Sequence, residues 1–259
     1  SHACTESTQT NWNGIIGRME LQAMNPLFIE SIQAFPQVED RSVKVKITLS
    51  NSSGIGGKKL QLSASAFNTA KKHKARSAEY NLKEGSKEYE FTYQLGDNAV
   101  LWSDLQPALY QLKAEINGID EKTVRFGLRD FKTEETHFNG AKTFLRGKHD
   151  ACVFPLTGHT AMDLEQWRRY FRICKEYGLN HCRFHSWCPP AACFEAADLE
   201  GIYLQPELPI WGGFKKESAE LMDFLMKDGE NIMREYSNHA SFVLFALGKE
   251  RGGDIDVMK

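Results

Sequence analysis

No run of 18 apolar residues occurs anywhere in the 259 residues, so no helical membrane span is expected. No charge excess exists either, with 32 Lys+Arg against 34 Asp+Glu and a net charge of −2. That balance excludes the basic footprint of a nucleic-acid binder. The opening Ser1-His2-Ala3-Cys4 through Thr10 is polar and has no apolar h-region, so it does not read as a signal peptide. The compartment stays open between periplasm and cytoplasm. The six cysteines lack zinc spacing, and HxH and HExxH are absent, so no metal is expected. No GxGxxG or glycine-rich phosphate loop is present, and no cofactor is implied. With 41% hydrophobic and 25% charged residues, disorder, collagen and coiled coil are excluded as well.

What is there changes period part-way along the chain. Between residues 27 and 130 apolar residues alternate, as in Val43, Val45, Ile47 and Leu49, or Leu60, Leu62, Ala64 and Ala66. Tyr89, Phe91, Tyr93 and Leu95, then Tyr110, Leu112, Ala114 and Ile116, repeat the pattern. Period two with one apolar face predicts half-solvated antiparallel strands. Asn51-Ser52-Ser53-Gly54, Glu84-Gly85-Ser86 and Asn117-Gly118 supply the turns. About seven short strands in about 100 residues fit an immunoglobulin-like sandwich without the antibody Cys–Trp–Cys pattern.

After residue 140 strands and helices are expected to alternate. Phe144–Gly147 reads as a short strand; Leu164, Trp167, Phe171 and Cys174 mark one helix face, closed by Gly178. A strand follows over 180–185, then a helix from Pro189-Pro190 to Leu199 stopped by Gly201, a strand over 202–204 and a helix over 217–236. Phe242–Leu247 is a continuous apolar run, as expected of a strand buried on both faces. Cys174 and Cys182 fall on apolar positions and read as small hydrophobes. Residues 141–259 provide 119 residues and four strands, whereas a closed (β/α)8 barrel needs about 250 residues. Half a barrel or a small open sheet is what fits. Trp12, Ile15, Ile16, Met19 and Leu21 suggest one further strand ahead of the sandwich.

In (β/α) architectures chemistry gathers at the carboxyl ends of the strands. Those ends carry Arg146-Gly147-Lys148-His149-Asp150, Arg183-Phe184-His185-Ser186-Trp187, Gln205-Pro206-Glu207 with Trp211, and Gly248-Lys249-Glu250. Carboxylates supply a general acid, base or nucleophile, and an indole stacks on a sugar face, so the rim fits a carbohydrate. Arg183 reads either as a substrate contact or as a structural cation neutralising Glu207 or Asp198. His185 reads as a satisfied hydrogen-bonding group or a ligand, and Trp187 and Trp211 as sugar platforms or as a lid over a core.

Several runs resemble glycoside hydrolase family 2, which comprises β-galactosidases, β-glucuronidases and β-mannosidases. They are Trp12-Asn13-Gly14-Ile15-Ile16-Gly17, Leu101-Trp102-Ser103, Phe126-Gly127-Leu128-Arg129, Phe138-Asn139-Gly140 and Phe144-Leu145-Arg146-Gly147. Gly178-Leu179-Asn180 with Arg183, Asp198 with Gly201-Ile202, Glu207, Asn238-His239 with Ser241, and Gly248-Lys249-Glu250 continue it in the family's order.

The resemblance implies a multidomain β plus α/β protein. Residues 1–25 would be the tail of a jelly-roll sugar-binding domain, 26–130 an immunoglobulin-like β-sandwich, and 131–259 the N-terminal half of an incomplete (β/α)8 TIM barrel. It implies a retaining β-glycosidase acting on an oligosaccharide or β-glycoside, with β-galactosidase the expected member and Glu250 the acid/base. Lys249, Arg183, His185, Trp187, Glu207 and Trp211 would meet the substrate, and Arg146 and Asp198 would support the site. The nucleophile is expected beyond Lys259, so this chain alone should not turn over substrate. Two departures stand out: Lys249 occupies the position of the family's usual Asn, and Phe184-His185-Ser186-Trp187-Cys188-Pro189 stands after the arginine where β-galactosidases often show Ser-His-Tyr-Pro. An open half barrel is also expected to self-associate into a homo-oligomer. The rival expectation is a non-catalytic carbohydrate-binding protein.

Overall fold

A computed structural model describes residues 14–134, 136–214 and 218–254, and for Trp211, Gly212, Glu250 and Arg251 the backbone alone. The chain divides into two compact units. One is Glu20–Thr143 with Asn238–Ala240; the other holds the described residues of Ser1–Met19, Phe144–Ser237 and Ser241–Lys259.

The first unit is a seven-stranded sandwich with a three-stranded meander. Strands β1 (Ile29–Gln37), β2 (Ser42–Leu49), β3 (Lys59–Phe67), β4 (Ala78–Asn81), β5 (Glu88–Gln94), β6 (Leu109–Ile116) and β7 (Asp120–Phe126) form sheets of order β1-β2-β5 and β4-β3-β6-β7. Every strand pair in them is antiparallel. The expected alternation is what fills the core: Val43, Val45, Ile47 and Leu49 from one sheet and Leu60, Leu62, Leu112 and Ile116 from the other are fully buried. Asn117-Gly118 turns β6 into β7, and Gly118 takes φ +72°, a region open to glycine at little cost. Short strands β8 (Phe131–Lys132), β9 (His137–Phe138) and β10 (Ala141–Lys142) follow.

Asn238 and Ala240 belong to this unit through specific bonds. The Asn238 amide accepts from Ala34 N (2.8 Å) and donates to Ile32 O (2.7 Å), extending the free edge of β1 as a neighbouring strand would. Arg129 Nε donates to Ala240 O at 3.0 Å. Ile32 and Ala34 are buried, so Asn238→Ala leaves two backbone groups without partners. Its expected cost is about 1–3 kcal/mol in denaturant unfolding, with faster amide exchange at Ala34. Unchanged stability and unchanged exchange would count against this reading.

The second unit is built from parallel strands and helices. Strands β11 (Gly147–Asp150), β12 (His181–Phe184) and β13 (Tyr203–Gln205) pair in that order in parallel, with α1 (Leu164–Glu176) and α2 (Ala191–Glu200) as crossovers. Asp163 caps α1 through Gln166 N (2.8 Å), and Gly201 ends α2 in the left-handed region at φ +72°. Helix α3 (Ala219–Tyr236) follows β14 (Trp211–Phe214), which pairs in parallel with β15 (Lys249–Gly253).

The expectations fail in three places. The first strand lies at Gly147–Asp150 rather than 144–147, and Phe144 is 76% exposed. Residues 14–28 contain no strand; Trp12 and Cys4 lie outside the described residues. Phe242–Leu247 is not a regular strand: it runs beside β13 through isolated bridges, Leu204 to Phe242 and Glu207 to Ala246. Val243 to Leu247 are only half-buried, so the full two-sided burial that the apolar run suggested is not realised. The β14–β15 pair, for its part, was not foreseen. Among the described residues, Cys174, Cys182, Cys188 and Cys193 are free thiols, and burial raises the pKa of Cys174 and Cys182, as expected of packing groups. No described helix is long and apolar enough to cross a membrane.

Candidate active site

Parallel pairing aligns the ends of β11, β12 and β13, and alternation decides what each end presents. In register, Gly147 faces His181 and His149 faces Arg183, while Lys148 sits opposite Cys182 and Asp150 opposite Phe184. Cys182 and Phe184 turn into the apolar core with Trp167 and Phe171. His149, His181 and Arg183 thus share the other face, and with Lys148, Lys249 and Gly147 they line a cavity of about 440 Å3. Five of those six residues are lysine, arginine or histidine, and none of these described lining residues is a carboxylate.

The carboxylates stand behind the basic residues. Glu207 is fully buried, bonds Arg183 Nε through Oε1, and accepts Ser186 N through Oε2 at 2.9 Å. Both its oxygens are engaged, holding the Arg183 side chain and the turn at Ser186, and Glu207, expected as a substrate contact, is not among the residues that line the cavity. Asp150, 7% exposed, accepts the Tyr170 hydroxyl at 2.5 Å and Cys152 N at 3.0 Å. Lys148 Nζ donates to that hydroxyl, lies 3.5 Å from Asp150 and sits 4.4 Å from the Tyr170 ring centroid. Burial holds the Tyr170 phenol far above its usual range, so it remains a neutral donor.

Arg183 pairs with Glu207, not with Asp198. Asp198 is 2% exposed and accepts Ser241 N at 2.8 Å, tying α2 to the segment that leads to Lys249. Arg146 Nε donates to Gly178 O at 2.6 Å, and its backbone exchanges bonds with Asn180. His185 is 4% exposed, meets Ser186 Oγ at 3.2 Å, and packs edge-on against His149 with centroids 4.6 Å apart. It buttresses His149 and does not line the basic cavity.

Trp187 is separated from this group. It is 4% exposed, packs edge-on against Phe184 and Phe154, and walls a different cavity with Pro189, Pro209 and Tyr236. The backbones of Trp211 and Glu250 run in β14 and β15, with Trp211 in register with Lys249; their side chains lie outside the described residues. Sequence reasoning placed Lys148 and His149 at the strand end without assigning either a role, and missed His181 as a pocket residue. The signal was present as three polar residues, His149, His181 and Arg183, at alternate positions of strands expected to bury branched apolar side chains.

His149 is held below the ordinary histidine pKa of 6.5, first by burial and then by the charges of Arg183 and Lys249, against the pull of Asp150 and Glu207. A lowered folded-state pKa favours the neutral ring, so that contribution is present above pH 6.5 and is lost as pH falls through the lowered value. The His149 ring proton should therefore titrate below 6.5 by NMR and move upward in Lys249→Met. A midpoint at or above 6.5 would contradict the cationic field.

Residues 27–129 match the family model for glycosyl hydrolases family 2. The sandwich is a glycosyl hydrolase family 2 domain. No curated protein sequence matches the chain. Solved structures share the fold over most of the chain. An FMN-binding β-glucuronidase from Facaelibacterium prausnitzii L2-6 is 19% identical with a TM-score of 0.70, covering 90% of this chain and 38% of that one. A family 2 member from Bacteroides cellulosilyticus DSM 14838 is 21% identical (TM-score 0.67, 88% and 32%). A β-galacturonidase from Eisenbergiella tayi, bound to galacturonate, is 18% identical (TM-score 0.64, 88% and 41%). The chain thus spans between 32% and 41% of the length of these proteins.

Proposed function

We propose that the α/β unit is the sugar-binding part of a retaining β-glycosidase that releases a terminal β-linked uronic acid. The observation that carries the sugar class is the basic lining: Arg183 and Lys249 converge with His149 and His181 on one cavity, with Asp150 and Glu207 buried, while the Lys148 ammonium turns back to Tyr170 and Asp150. A uronide differs from a galactoside at C5, where a carboxylate replaces a hydroxymethyl group. Ammonium and guanidinium groups favour that carboxylate by charge-assisted hydrogen bonds. The uronidase names of two structural neighbours agree with this choice.

Glu250 is the proposed acid/base, delivering a proton to the leaving oxygen and later taking one from water. Its partner nucleophile, needed about 5 to 5.5 Å away in a retaining mechanism, is proposed to lie outside this sequence. Residues 131–259 accordingly form part of a (β/α)8 barrel in this reading, and 1–25 the exit of a jelly-roll domain. β-Galactosidase, the expectation from sequence, is the second reading. Non-catalytic binding is the third, favoured by Lys249: an ammonium beside Glu250 favours its carboxylate, the wrong direction for an acid.

Aryl β-glucuronides and β-galactosides offered to the protein together with its nucleophile segment separate the three. Preferential glucuronide hydrolysis supports the proposal, preferential galactoside hydrolysis the second reading, and glucuronide binding without turnover the third. In Lys249→Met the preference for the glucuronide should drop at least about tenfold, the loss of one charge-assisted contact of about 1.5–3 kcal/mol.

A further inference from the structure

We infer that the outer face of the sandwich carries a second carbohydrate-recognition surface, the basic strip Lys72, Lys74 and Arg76, which takes an extended polyuronate, a chain with one carboxylate per sugar ring. Four of the six residues Lys71–Arg76 are lysine or arginine, in a chain whose net charge is −2. Runs of this kind mark polyanion-binding patches. Tertiary contacts decide which side chains the run presents. Lys74 pairs with Ser65 of β3, with Ala66 N donating to His73 O at 2.8 Å and Ala75 N to Ala64 O at 2.9 Å. Alternation then turns Ala75 into the core and His73 onto Tyr110, while Lys72, Lys74 and Arg76 stand exposed on the other side, about 6.5 Å apart along the strand.

The backbone beneath the cations is fixed from inside. Asn68 Nδ2 donates to Pro107 O at 2.7 Å, Tyr93 Oη donates to Arg76 O at 3.1 Å, and Tyr110 Oη meets His73 Nδ1 at 2.9 Å while accepting Val100 N. A strip held this way has little backbone freedom left to lose on binding. Its charge is also uncompensated. Lys44, Lys46, Lys59 and Lys113 of the same sandwich each lie 2.6 to 3.7 Å from a glutamate oxygen, whereas Lys71, Lys72, Lys74 and Arg76 pair with no carboxylate among the described residues. Cations so placed favour carboxylates by charge-assisted hydrogen bonds. Arg125 extends the strip across the sheet, since Lys74, Ser65, Gln111 and Arg125 form one cross-strand row. Its guanidinium lies 5.6 Å from the Phe67 ring centroid and covers that face of the ring. Single-stranded nucleic acids need open aromatic faces on which bases stack, and the Phe67 face is taken. The choice of a uronate polymer over a polyphosphate also rests on the uronide reading of the α/β unit.

The test offers this chain polygalacturonate in calorimetry at low and high salt, with a single-stranded DNA of matched charge and neutral dextran as controls. Polygalacturonate should bind, and added salt should weaken it steeply, as counterion release requires. Amide resonances of residues 71–76 and of Arg125 should move in an NMR titration, a localisation that needs no variant. Lys72→Ser/Lys74→Ser/Arg76→Ser should bind at least about tenfold more weakly. Lys44→Ser/Lys46→Ser, which removes two lysines already paired with glutamates, should lose less than about twofold. The strip variant should keep the affinity for methyl β-glucuronide unchanged, so failure of the strip and failure of the basic cavity read out separately. No polygalacturonate binding, equal affinities of the two variants, DNA binding as tight as polygalacturonate, or binding of dextran would each overturn the inference.

Discussion

Arg183→Met is expected to destabilise the α/β unit by about 3 kcal/mol, read as a lower midpoint in denaturant unfolding followed by tryptophan fluorescence. The cause is Glu207, which is fully buried and would keep its charge without the guanidinium that neutralises it. Breaking a fully buried pair costs about 3–5 kcal/mol, and the lower end applies because the Arg183 side chain is 36% exposed. Glu207→Gln should cost less, since an amide oxygen still accepts Ser186 N and no orphaned charge is left. Removing both charges in Arg183→Met/Glu207→Leu should recover part of the loss. A single-variant cost under about 1 kcal/mol would show that water already screens the pair.

Glu250→Gln, made in the protein that also carries the nucleophile, is expected to lower turnover by about 100- to 10,000-fold on sugars with poor leaving groups. A carboxamide cannot deliver the proton that an alkoxide leaving group needs. A nitrophenolate needs little help in departing, so the same variant should lose much less on nitrophenyl glycosides. That leaving-group dependence is the signature of the acid/base role and is not produced by a misplaced strand. An equal loss on both substrate types would assign Glu250 a structural part in β15.

The two units were legible in the sequence to different depths. Alternation over 27–130 prescribed the sandwich almost strand by strand, because Val43, Val45, Ile47 and Leu49 cannot all be buried in any conformation but an extended one. Helices α1 and α2 were equally plain from the spacing of Leu164, Trp167, Phe171 and Cys174, from Pro189-Pro190, and from Gly178 and Gly201, whose capping roles are local. Phe144–Gly147 and Phe242–Leu247 misled because a short apolar run states that a segment is buried, not which residues find ladder partners. Pairing of β11 depends on the register of His181–Phe184, which is set more than 30 residues away.

The candidate site was legible in its members and not in its grouping. Arg183, Lys249 and Glu207 were singled out, yet their division of labour follows from burial: Glu207 turns inward and binds Arg183, while Lys249 reaches the cavity. Trp187 stood four residues from Arg183 in sequence and was expected beside it. The turn at Ser186, held in the left-handed region at φ +53°, sends the indole elsewhere, and nothing in the residue types announces it. Pocket residues His149 and His181 became evident only once the strands were in register.

The most direct test of the central claim compares the affinity of this chain for methyl β-glucuronide and methyl β-galactoside by calorimetry at pH 7, at low and high salt. The basic cavity predicts that the glucuronide binds at least about tenfold more tightly, one charge-assisted contact's worth, and that added salt narrows the gap. Equal affinities, or a tighter galactoside at low salt, would contradict it.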